Sequence, residues 1–90
     1  VPAQCGFSVR MGNRGTFRIR YTVDPTARSV SFTLRDLRGR EVWSRKINDA
    51  SAMECEAQVN GAGIYVLHME YFDAKGMRRD AGGQRVVVVR

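Results

Sequence analysis

The side chains with most chemical potential in this sequence are two cysteines, one histidine, one tryptophan and a surplus of arginine. Cys5 and Cys55 are too few for a zinc site, which takes four ligands, and too far apart for a C-x-x-C redox pair. In an exported protein they read as one disulfide. Closing a loop of about 50 residues stabilises by roughly 3 to 4 kcal/mol in the chain-entropy model. A reduced, buried pair is the alternative. His68 stands between Leu67 and Met69, and Glu70 is the one nearby carboxylate on its face. A general base or metal ligand needs more partners than that, so His68 is expected as a surface residue. Glu54 and Glu56 also share a face, but a hydrolytic carboxylate pair must be held across a cleft. Asp73-Ala74-Lys75-Gly76 offers too few oxygens for a calcium loop. No catalytic residue, metal or cofactor is expected, and the chain is not expected to be an enzyme.

Binding has better material. The alternation that puts Val42 inward turns Trp43 outward, beside Glu41 and Arg45. An exposed indole on a flat sheet stacks on a sugar ring, while flanking Arg and Glu side chains hydrogen-bond its hydroxyls. The competing reading is that Trp43 packs on a neighbouring domain or shields a sheet edge. Arg18, Arg20 and Arg35 also point outward, on strands expected to lie close together, with Arg10 a candidate to join them. Guanidinium groups so placed grip phosphate or carboxylate in bidentate fashion. Nucleic acid is not expected, because Phe17, Tyr21 and Phe32 alternate inward and leave no stacking aromatics on the arginine face.

Two-residue alternation is the strongest pattern in the chain, and strands must carry these groups. Phe17, Ile19, Tyr21 and Val23 alternate with Arg18, Arg20 and Thr22, and Val30, Phe32 and Leu34 with Ser31, Thr33 and Arg35. The same period runs through Cys5 to Met11, Met53 to Val59 and Ile64 to Phe72, whereas Val86-Val87-Val88-Val89 is apolar throughout and leaves its orientation open. Turn chemistry separates the runs at Asp24-Pro25, Asp36-Leu37-Arg38-Gly39, Asn48-Asp49, Asn60 to Gly63, Asp73 to Gly76 and Gly82-Gly83. Seven strands are expected, at about 5–11, 16–23, 29–36, 40–47, 53–59, 64–72 and 84–90. Seven short strands make a two-sheet sandwich, Ig-like or fibronectin-III-like; a five- or six-stranded barrel is the alternative. The 90 residues are enough for one core and one domain. No apolar run approaches the roughly 18 to 20 residues that span a bilayer. Val1 to Gln4 show no signal-peptide pattern, so any targeting signal is expected to have been removed or to lie upstream. The formal charge of +6 rests on thirteen arginines and two lysines, a balance that suits solubility or an anionic surface.

Three stretches together carry a resemblance: Phe17 to Val23, Val30 to Val42 with its Asp36-x-x-Gly39-Arg40-x-Val42 turn, and Gly61-Ala62-Gly63-Ile64-Tyr65-Val66-Leu67. This pattern, over residues 16–90, resembles the Ig-like domain of the flagellar hook-capping protein and the C-terminal sorting domains of type IX secretion. The resemblance implies a two-sheet sandwich in a secreted or surface-attached bacterial protein, with an adjacent domain of the same parent as its partner. The expected function is a non-catalytic accessory or C-terminal module, serving packing, spacing or export of a carbohydrate-active protein. A carbohydrate-binding module built on Trp43, meeting a polysaccharide or an anionic cell-surface component, is the alternative.

Overall fold

A computed structural model describes residues 6–12, 15–23, 26–48, 54–59 and 61–88. Among the described residues there are seven strands: β1 (Gly6–Met11), β2 (Thr16–Thr22), β3 (Ser29–Asp36), β4 (Glu41–Ile47), β5 (Glu54–Gln58), β6 (Gly63–Phe72) and β7 (Arg78–Val88). They form a three-stranded sheet of order β1-β2-β5 and a four-stranded sheet of order β4-β3-β6-β7, antiparallel throughout. The fold is therefore the expected Ig-like or fibronectin-III-like sandwich.

Alternation on β2 and β3 builds the core. Phe17, Ile19 and Tyr21 from one sheet and Val30, Phe32 and Leu34 from the other are almost completely buried, joined by Leu67, Met69, Val86 and Val88. Each such side chain removed from water contributes about 1.5 to 3 kcal/mol. Phe32 is the central contact between the sheets, with the ring of Tyr21 edge-on at 5.2 Å and that of Phe7 at 6.0 Å. At the start of β6 the Tyr65 hydroxyl donates to the Gly61 carbonyl at 2.8 Å, a tyrosine corner of the kind Ig-like sandwiches use to fix a strand entry.

Two hairpins close on the same device. In the β3–β4 turn, Asp36 Oδ1 accepts from the Arg38 and Arg40 amides at 2.9 and 3.0 Å. In the β6–β7 turn, Asp73 Oδ1 accepts from the Lys75 and Met77 amides, both at 2.9 Å. The glycine three residues after each aspartate, Gly39 or Gly76, takes a positive φ of 86° or 79°. Asp-x-x-Gly is thus a repeated turn unit, with the aspartate acting as a local cap for otherwise unpaired amides.

Two elements differ from expectation. β7 begins at Arg78, six residues before the expected start at 84, because the Asp73 turn returns the chain straight into pairing; Gly82-Gly83 is an irregularity inside the strand, not a turn. On β4 the pairing passes from Leu34↔Trp43 to Arg35↔Glu41, so Val42 is an extra residue in the ladder. A shift of one residue exchanges the two faces. Val42 is accordingly 39% exposed and Trp43 packs against the core, the reverse of the sequence expectation.

Candidate functional site

Trp43 is opposite Leu34, an inward residue with no exposed surface, and shares its face. The indole is half-buried against the core cluster and is not a planar platform facing solvent. Glu41 and Arg45 are exposed on the same strand. Glu41 lines an open cleft of about 520 Å³ at the end of the sandwich, with Arg40, Val42, Gln58 and Tyr65.

The expected arginine cluster is divided by the topology. β2 belongs to the three-stranded sheet and β3 to the four-stranded one, so the outward side chains Arg18 and Arg20 leave one side of the molecule and Arg35 leaves the other. Arg10 does join the first group, since it pairs with Arg18 across β1–β2. Carboxylates interleave with this face. Register sets Glu54 beside Arg20 and Glu56 beside Arg18, and the Arg20 guanidinium reaches Glu54 Oε1 at 3.3 Å.

On the outer face of the four-stranded sheet, cross-strand rows read Arg35–Val66–Arg85, Thr33–His68–Gly83 and Ser31–Glu70–Asp80. His68 Nε2 lies 2.7 Å from Asp80 Oδ1, and Nδ1 lies 3.5 Å from Glu70 Oε1. Glu70 also meets Arg78, and Asp73 meets Arg79 at 3.2 Å. The Gly82 amide, donating to Asp80 at 2.7 Å, is the main influence holding the Asp80 carboxyl below its usual range, with His68 adding to it. The Met77 amide does the same for Asp73, with help from Arg79 and the Lys75 amide. His68 is therefore outward, as expected, but held between two carboxylates. Asp80 falls outside every strand expected from the sequence, so alternation does not place it beside His68. The Asp73 turn, which fixes where β7 starts, is the signal that reveals it.

Cys55 is a buried, free thiol on β5; burial pushes its pKa up, and the nearby Arg45 charge opposes that shift. Cys5, its expected disulfide partner, lies outside the described residues, and no disulfide is present among them. Among the described residues no group of three His, Cys, Asp or Glu side chains is placed to hold a metal ion.

With the surface laid out, similarity to known proteins gives the context. No family model matches the sequence, and no curated protein matches it. Several solved structures share its fold, among them part of a polysaccharide deacetylase from Bacillus cereus. The superposition has a TM-score of 0.77 at 9% identity and covers 93% of this chain. It spans 30% of the longer deacetylase chain, so the likeness is to one part of that enzyme. At this identity the likeness concerns fold alone. It joins the tyrosine corner and the strand order in fixing the architecture, and it assigns no role to Trp43, His68 or the arginines.

Proposed function

We propose that this chain is a non-catalytic accessory module of a secreted, carbohydrate-active bacterial protein, where it packs against or spaces a catalytic domain. The observation that carries this reading is the fold likeness to a minor part of a polysaccharide deacetylase. The surface chemistry supports it. The carboxylates near the histidine are engaged in cross-strand pairs on an open sheet face, with no enclosing walls to exclude water from a reaction. Glu54 and Glu56 stand side by side on β5, not across a cleft. The Asp36–Val42 and Gly61–Leu67 stretches, through their resemblance to exported Ig-like and sorting domains, support export of the parent protein. Stacking of a sugar on Trp43 is not favoured, because the ring faces inward.

Two assays test the reading. The purified chain should release neither acetate nor reducing ends from acetylated xylan, chitin or peptidoglycan. Deleting the module from the protein that carries it should lower the secreted yield or thermal midpoint of the remainder while leaving its kcat unchanged. Turnover by the chain alone that Glu54→Gln, Glu56→Gln or Asp80→Asn abolishes would overturn the proposal.

A further inference from the structure

Four arginines have a carboxylate partner among the described residues: Arg20 has Glu54, Arg40 has Asp36, Arg78 has Glu70 and Arg79 has Asp73. Arg10 and Arg18 do not, among the described residues, and the β1–β2 register sets them directly opposite each other on the outer face of the three-stranded sheet. Like charges in that relation repel, and a ladder gains nothing from keeping them. Glu56 follows in the same row, but on the far side of Arg18, so it offsets one arginine and leaves Arg10 uncompensated.

The two arginines also border a shaped space. An open cleft of about 240 Å³ at the end of the hairpin is lined by Arg10, Gly12, Thr16, Arg18 and Glu56, with the apolar side chains of Met11 and Phe17. At roughly 30 Å³ per water, it holds an oxyanion with part of its hydration shell. The hairpin end is fixed by the Gly12 amide donating to the Thr16 carbonyl at 2.9 Å. A side chain at position 12 would collide with the Thr16 hydroxyl, since a Cβ there would lie 2.8 Å from Thr16 Oγ1. Glycine at this position therefore keeps one wall of the cleft free of side-chain atoms.

We propose that Arg10 and Arg18 form a binding site for a single oxyanion group, held between two guanidinium forks at the end of the β1–β2 hairpin. Guanidinium geometry matches a planar carboxylate or two oxygens of a tetrahedral anion equally well. The ligand chemistry thus covers the uronic carboxylate of an acidic polysaccharide and a sulfate or phosphate group. Binding relieves the Arg10–Arg18 repulsion, so anion affinity and the stability of the hairpin are coupled. The site does not depend on the accessory-module reading, because its test needs no parent protein.

The experiment titrates the chain with sulfate, inorganic phosphate and glucuronate against sodium chloride of matched ionic strength, following amide and arginine Nε resonances. Saturable shifts are expected at the β1–β2 hairpin, with a dissociation constant on the order of 1 to 10 mM for an exposed two-arginine site. Arg10→Gln and Arg18→Gln should each weaken binding about tenfold, as loss of one fork predicts. Arg35→Gln, on the opposite face, should leave it unchanged. Glu56→Gln should tighten it, because the competing carboxylate is gone. Response to glucuronate alone identifies a carboxylate ligand, and response to sulfate and phosphate alone a tetrahedral one; either supports the site. Shifts that chloride reproduces, or that survive Arg10→Gln, overturn it, as does weaker binding by Glu56→Gln.

Discussion

Trp43 illustrates how a single residue's role depends on one inserted neighbour. With Val42 as an extra residue in the β3–β4 ladder, the indole covers the edge of the core and is shielded from ligands. Trp43→Ala is therefore expected to lower stability by about 1 to 3 kcal/mol, less than loss of a fully buried tryptophan. Chemical denaturation measures the change, and pull-down on cellulose or xylan should stay at background for both proteins. Salt-resistant pull-down that disappears in the variant without loss of folding would restore the stacking platform. Cys55 makes a second case. Its thiol is buried on β5, opposite Ile19 of β2, and burial pushes its pKa up. Thiol titration in denaturant without reductant tests the disulfide read from the sequence: no reactive thiol is expected if Cys5 and Cys55 are joined, and two reactive thiols would overturn that reading.

The elements themselves could be read from the sequence wherever one face is dry and the other wet. β2 and β3 alternate cleanly because each places every second residue in the core, and their expected bounds hold to within a residue. β4 and β7 are edge strands, exposed over most of their length, so burial imposes little pattern on them. The β4 register slip and the early start of β7 are where the structure departs from the expected strands, and they set the direction of Trp43 and the Asp80 partner of His68. Alternation also says nothing about which sheet a strand joins, so Arg35 was grouped with Arg18 and Arg20. Connections, in contrast, are set by local chemistry and can be tested there. Gly15 and Gly39 both have positive φ, of 78° and 86°. A Cβ at Gly39 meets nothing, but one at Gly15 would lie 2.5 Å from the Val59 carbonyl oxygen, where Val59 also donates to the Gly15 carbonyl at 3.0 Å. Gly39→Ala is expected to cost about 1 kcal/mol from φ alone. Gly15→Ala adds a backbone collision and should cost about 2 to 4 kcal/mol, with exchange protection lost at the end of β5. Equal costs would show that the β1–β2 loop does not clip β5 in this way.

At the scale of the whole molecule, the charge of +6 is dispersed over two opposite faces and partly offset by acids placed strand by strand. The domain therefore depends on carboxylates staying ionised, most clearly on the four-stranded sheet. Asp73 and Asp80 are both held below the ordinary carboxyl range, Asp73 chiefly by the Met77 amide and Asp80 chiefly by the Gly82 amide, with Arg79 and His68 as side-chain neighbours that add to the effect. A carboxyl whose folded pKa is depressed binds fewer protons folded than unfolded, so acid favours the unfolded chain. Its contribution is complete above the unfolded value of about 3.9 and is lost as pH falls through the folded value. The thermal midpoint should accordingly decline from about pH 5 downward, with no loss from these two groups between about pH 5 and 8. Asp80→Asn should flatten the acid side of the profile, because an amide there has no proton to take up. It should also lower the midpoint at neutral pH, where the Gly82 amide and the His68 ring lose their anionic acceptor. Asp73→Asn, at the turn that starts β7, should do both as well. If the acid slope is the same in wild type and in the double variant, the acid sensitivity of the fold originates in other carboxylates and the cross-strand cluster around β7 contributes nothing to it.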